Sequence, residues 1–171
     1  MPPVGADSGP VPLVVFTLHG ERFALAGRAV REVVRAVAVA ALPDAPDVVE
    51  GVINYRGRLA PVLNVRDRFG FPPKPLDPSQ HFVLAEAGSR VVALRVDRAL
   101  EVLEVSAHAI ETGAQVAPGS RRTEGVARLP DGLLVIHDLE RFLSLDEGTA
   151  LDESLHAAAG DGKAEADGAG T

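Results

Sequence analysis

GVINYRGRLAPVLNVRDRFG, residues Gly51 to Gly70, sets two apolar strands around a polar tip. Val52 and Ile53 lead into Asn54, Tyr55 and Arg56; Gly57 follows, and Arg58 opens a second apolar run that ends at Val65. Two strands joined through Arg56 and Gly57 make a tight hairpin with glycine at its second central position, where a positive φ is often required. Pro61 lies inside the second run and has no N–H for a ladder, so this strand is expected at a sheet edge or bulged at the proline. VRDRFG then closes the stretch as a short helix ending near Gly70. A hairpin that only turns the chain needs no arginine at its tip, so Arg56 is expected to pin the tip to a neighbouring strand. Glu32, in VREV (Val30 to Val33), is the expected partner, in a partly buried structural salt bridge. Removing one member of such a pair is costly because the other is left uncompensated, whereas an exposed pair contributes little.

Working outward, VPLVVFTL and RFALAG are short β-branched or aromatic segments separated by His19, Gly20 and Glu21, a hairpin signal. EVVRAVAVAAL, from Glu32, stays open between strand and helix because its alanines fit both. FPPKPLDPSQ, Phe71 to Gln80, has four prolines in ten residues and is the linker candidate. Beyond it the first pattern returns. FVLAEAGSRVVALRV again reads strand, glycine turn, strand, with Gly88 in the place of Gly20 and Arg90 in that of Arg22. ALEV (Ala99 to Val102) answers VREV, and GVARLPDGLLVIHDLERF (Gly125 to Phe142) answers the opening stretch from Gly-Val to Arg-Phe.

The chain therefore reads as an internal duplication: mainly β, two modules of about five strands, each with a short terminal helix, the first over about 13–70 and the second over about 80–145. Modules of that size are marginal alone, so they must share an interface, and the groove at the junction is where a ligand or peptide is expected. Residues 1–10 are expected to be flexible and 148–171 to form an acidic, mostly disordered tail, in which ALDESLHAAA offers a short helix with Leu151 and Leu155 one turn apart. GDGK in that tail lacks the full P-loop spacing and a preceding strand.

Composition narrows the chemistry. The 171 residues are 46% hydrophobic and 24% charged, an ordinary globular balance. Without cysteine there are no disulfides, thiolate nucleophiles or cysteine-rich zinc sites. A formal charge of −7 with scattered basic residues argues against nucleic acid as a partner. MPPVGADSGP has no signal-peptide character, and the longest apolar run, Ala36 to Leu42, is far too short to span a bilayer; a cytoplasmic protein without direct membrane insertion is expected. His19, His81, His108, His137 and His156 include no pair at helical zinc spacing, and Ser79, Ser106 and Ser154 lie on no nucleophile elbow, so no catalytic, metal or cofactor residues are nominated. A small-molecule enzyme using the intermodule groove, with His137 or Asp138, is the competing class, although neighbours on a strand point to opposite faces.

EGVINYRGRLAPVLNVRDRFG resembles the signature of the CheW family of bacterial chemotaxis coupling proteins, Gly-Val-x-Asn-x-Arg-Gly-x-x-x-Pro-Val-x-Asp-Leu. Gly51, Val52, Asn54, Arg56, Gly57, Pro61 and Val62 fit that pattern; Asn64 and Val65 stand where aspartate and leucine are common, so a role needing charge at that strand end is not implied. The resemblance runs from about Leu13 to Leu145 and marks a CheW-like domain over about 11–147. It implies two intertwined SH3-like five-stranded barrels and a non-enzymatic adaptor without cofactor or metal. Such an adaptor couples the cytoplasmic tips of chemoreceptors, the methyl-accepting chemotaxis proteins, to the regulatory domain of the histidine kinase CheA, in receptor arrays at the inner face of the membrane. A homologue serving pilus motility or development is the alternative within the family. By position, the resemblance places Val30, Val33, Arg56 and Val62 near the partner-binding region, with Val96 and Val102 from the second module; each valine also reads as hydrophobic core. It also implies that the arginine holds the hairpin beside the glutamate at Glu32.

Overall fold

The computed structural model describes residues 9–112, 123–139 and 145–168. Runs apolar at nearly every position, such as LVVF and FVLA, form strands that are covered on both faces. The strands are β1 (Pro10–Leu18), β2 (Glu21–Ala26), β3 (Val30–Arg35), β4 (Val49–Tyr55), β5 (Arg58–Leu63) and β6 (His81–Ala87). They continue as β7 (Arg90–Val96), β8 (Arg98–Ser106), β9 (Ile110–Thr112), β10 (Thr123–Leu129) and β11 (Gly132–His137), followed by helix α1 (Leu145–Gly168).

The duplication is present, but its halves exchange strands. One sheet has the order β8-β1-β2-β11-β10-β9 and the other β3-β6-β7-β5-β4. Each barrel-like module thus takes its first hairpin from one half of the chain and its remaining strands from the other. The sequential division at about 13–70 and 80–145 does not describe either sheet, because β1 and β2 pair with the second half and β6 and β7 with the first. Matching registers identify the equivalent pieces. The parallel pairs β11 on β2 (Ile136↔Ala24) and β5 on β7 (Val62↔Ala93) occupy corresponding places. FPPKPLDPSQ accordingly does not separate two domains; it leads from the 3-10 turn at Asp67–Phe69, closed by Gly70 at φ 74°, into β6 of the same sheet.

Three cores follow from this exchange. Leu13, Val15, Leu134 and Ile136 fill the first barrel, and Ile53, Val62, Phe82 and Leu84 the second. Between them lies a shared core containing Phe16, Phe23, Leu63, Leu94 and Val96. At its margin, the Phe23 and Phe69 rings stack at 5.0 Å and His137 lies 4.9 Å from Phe69.

The opening stretch forms the expected hairpin. Arg56 and Gly57 carry φ values of 51° and 80°, a two-residue turn whose twist matches the strands, and Asn54 Oδ1 accepts the Gly57 N–H at 3.0 Å. The expectation for Pro61 fails, since β5 lies between β4 and β7 and its ladder irregularity falls opposite Val49 and Gly51. The proline is tolerated because its partner Val52 directs its own N–H and carbonyl away, to Ala40, and because the β7 pairing starts only at Val62. EVVRAVAVAAL forms no helix: its first four residues end β3 and the rest is irregular except at Ala40, which bridges Val52 and closes the barrel there.

Both termini depart from expectation. Pro10 already belongs to β1, opposite Ser106, while residues 1–8 lie outside the described residues. The tail carries the helix expected over ALDESLHAAA, but that helix is longer than expected, running from Leu145 to Gly168 through most of the stretch expected to be disordered. Leu151 is fully buried, and Leu155 and Ala158 pack on the shared core, so tertiary contacts anchor a helix that its sequence alone would not hold. Ion pairs Arg68–Glu147 and Arg90–Asp152 flank that anchor. The short helix expected to end the second module falls mostly on 140–144, outside the described residues.

Candidate functional site

The edge strands β3 and β8 flank the seam between the barrels. They are equivalent elements with the same irregularity: Val30 and Glu32 pair with Ala85 and Leu84, skipping Arg31, as Ala99 and Glu101 pair with Phe16 and Val15, skipping Leu100. An extra residue bends a strand and increases its twist. A groove of about 500 Å³ lies between them. β3 contributes Val30, Glu32 and Val33; β8 contributes Ala99, Leu100, Glu101 and Val102; Pro12, Val14 and Gly27 complete the lining. Val33, Leu100 and Val102 keep 39%, 46% and 64% of their surface exposed, an apolar patch of the kind that marks a docking site.

At the rim, Glu32 accepts hydrogen bonds from the Tyr55 hydroxyl at 2.9 Å and the Arg56 guanidinium at 3.3 Å. The Tyr55 hydroxyl above all, and then Arg56, holds the Glu32 carboxyl below the usual carboxylate range. The Arg56 guanidinium lies 5.5 Å from the Tyr55 ring centre, and it stabilises the carboxylate it faces. The pair exists as expected, yet it is not partly buried: the Arg56 side chain is 76% exposed. A turn tip carries its side chains outward, so Arg56 reaches Glu32 over the surface.

A second polar system holds the proline-rich segment. Arg66 donates to Asp97 at 2.7 Å and to the Pro72 carbonyl at 2.8 Å, while Arg95 donates to Gln80, Glu50 and the Lys74 carbonyl. Asn64 donates its amide to Glu50 at 2.6 Å and accepts the Arg66 backbone N–H at 3.2 Å. This accounts for asparagine at 64, since an aspartate there would confront the Glu50 carboxylate. Burial opposes the charge on Asp97, but the His19 backbone N–H and Arg66 outweigh it and keep its pKa below the ordinary value.

Of the sequence-nominated residues, Val30, Val33 and Val102 meet in the groove, with Glu32 beside them and Arg56 attached through Glu32. Val62 and Val96 do not. Both have no exposed surface: Val62 fills the second barrel and Val96 the shared core, because β5 and β7 are interior strands. Sequence reasoning missed Leu100, Glu101 and Val14; the match of ALEV to VREV was the signal that pointed to the first two. His137, the focus of the enzyme alternative, is buried against Phe23 and Phe69 and lines no part of this groove. Among the described residues no group of three or more His, Asp or Glu is placed to hold a metal ion.

Comparison with known proteins gives a consistent result. Residues 12–147 match the family described as the CheW-like domain. The chain is 27% identical to the chemotaxis protein CheW of Klebsiella aerogenes over 141 residues, 81% of this chain and 85% of that one. It is 30% identical to the chemotaxis protein CheW of Rhizobium meliloti over 142 residues, covering 81% and 90%. The crystal structure of the scaffolding protein TtCheW from Thermoanaerobacter tengcongensis superposes with a TM-score of 0.73 at 29% identity, covering 81% of this chain and 95% of that one.

Proposed function

Because the chain belongs to the CheW-like domain family, we propose that it is a non-enzymatic adaptor coupling the cytoplasmic tips of chemoreceptors to a CheA-type histidine kinase. The observation that carries this reading is the seam groove, where Val33, Leu100 and Val102 lie uncovered between two edge strands. An amphipathic receptor helix docks by laying apolar residues one turn apart into such a groove, and no bond is made or broken. On this reading the kinase regulatory domain binds the same chain away from the groove, so that one protein touches receptor and kinase at once. On the same reading the protein works in receptor arrays at the cytoplasmic face of the membrane. No helix among the described residues is long and apolar enough to cross a membrane.

Co-sedimentation of the full chain with a soluble chemoreceptor cytoplasmic fragment and with the kinase regulatory domain tests the proposal. Binding to both, with the receptor interaction weakened by Val102→Asp, is the expected result. Failure of the wild-type chain to bind either partner overturns it.

A further inference from the structure

The two barrels repeat the same strand order from β3 to β5 and from β8 to β11, yet one equivalent pair of carboxylates differs in its partners. Glu32 stands opposite Leu84 and Glu101 opposite Val15, each one step past the same bulge, so the two glutamates hold the same place in their barrels. In the second barrel the tip of the β4–β5 hairpin supplies Tyr55 and Arg56 to Glu32. In the first barrel the corresponding hairpin joins β10 to β11, and the register places Leu129 where Tyr55 stands and Pro130 where Arg56 stands. Neither side chain has a donor. Leu129 packs toward the first barrel's core, and the next residue, Asp131, takes Arg22 as its partner at 3.2 Å. Glu101 is exposed, lines the groove, and has no hydrogen bond or ion pair among the described residues.

The chain therefore contains one carboxylate already satisfied in cis and its twin left open beside an apolar groove. A partner that covers Val33, Leu100 and Val102 removes water from Glu101, and a carboxylate losing water without a counter-charge opposes binding. Any helix that binds well must bring a cation to that point. We propose that Glu101 is an open acidic socket, filled by a lysine or arginine flanking the apolar face of the docked helix in the way that Arg56 fills Glu32 within the chain. This rests on the groove being the docking site and adds the feature that selects the occupant: an amphipathic helix with a basic residue beside its apolar stripe. The wall carrying Glu32, already neutralised, makes no such demand.

The test titrates the full chain with a soluble chemoreceptor cytoplasmic fragment, comparing wild type, Glu101→Gln, Glu101→Lys and Glu104→Gln. Glu104 is an exposed neighbour outside the groove lining. Glu101→Gln is expected to weaken binding about fivefold to tenfold and Glu101→Lys further, while Glu104→Gln stays within about twofold. Exposed positions leave the melting temperature unchanged, which separates these effects from misfolding. Changing one basic residue of the fragment to glutamate restores binding to Glu101→Lys. If the wild type binds and both Glu101 variants bind equally well, the socket is overturned while the adaptor reading stands. If the wild type does not bind the fragment, the adaptor reading fails and the socket with it.

Discussion

The carbonyl oxygen of Ala40 occupies the space where a side chain on Gly51 would begin: a Cβ built there stands 2.1 Å from that oxygen. The second barrel is closed at this point, where Ala40 and Val52 exchange hydrogen bonds of 2.9 and 2.8 Å. The first barrel repeats the arrangement, with a Cβ on Gly125 falling 2.6 Å from the Glu111 carbonyl oxygen. The Gly-Val dipeptide recurs because each barrel closes over a glycine.

Gly51→Ala is accordingly expected to destabilise by about 3 kcal/mol or more, since backbone would have to move. Gly57→Ala, at φ 80° with open space around it, should cost only about 1–2 kcal/mol of conformational strain. Urea denaturation of the two variants measures the contrast; equal costs would mean that the Ala40 contact does not constrain the barrel.

Glu32→Ala removes acceptors for both Tyr55 and Arg56, whereas Arg56→Ala removes only one donor and leaves the Tyr55 hydroxyl in place. Thermal denaturation should show the glutamate variant shifted more than the arginine variant, with both shifts small because the pair is exposed. The double variant should resemble Glu32→Ala alone. Additive single effects would show that the side chains do not interact in solution.

The valines separate by burial. Val62→Ala empties a site with no exposed surface and should cost about 2 kcal/mol. Val102→Ala should change stability by less than about 0.5 kcal/mol yet weaken binding of a chemoreceptor fragment. Chemical denaturation paired with a binding titration reads both quantities, and a destabilised Val102→Ala with unchanged binding would contradict the groove assignment.

Asp97 supplies the pH dependence. Its folded pKa lies below the ordinary 3.8, so in the acid range the native state binds fewer protons than the unfolded chain and stability rises with pH. The contribution is complete above that ordinary value and is lost as pH falls through the lower folded one. Asp97→Asn should cost about 1.5–3 kcal/mol at neutral pH by weakening its bonds to Arg66, Gln80 and the His19 N–H. Urea midpoints at pH 7, 4 and 3 should show the difference from wild type narrowing on acidification; a constant difference would rule out this linkage.

Local rules determined much of this protein from sequence alone. The Arg56–Gly57 turn, the strand pairs around Gly20 and Gly88, the 3-10 turn ending at Gly70 and the duplication itself rest on neighbours in the chain, where glycine conformations and apolar runs act directly. The match of VREV to ALEV was legible too, while Val30, Val33 and Val102 were nominated through the family resemblance. What only the tertiary structure decided is which strands share a sheet. β1 and β2 could pair within their own half or across to the other, and both choices satisfy the same alternation of side chains; burial of three cores at once selects the exchange. That choice put Val62 and Val96 inside, brought β3 beside β8, and anchored α1 through Leu151. It also set Glu32 and Glu101 in equal positions with unequal partners, because pairing between distant strands depends on the whole packed surface, which no short stretch encodes.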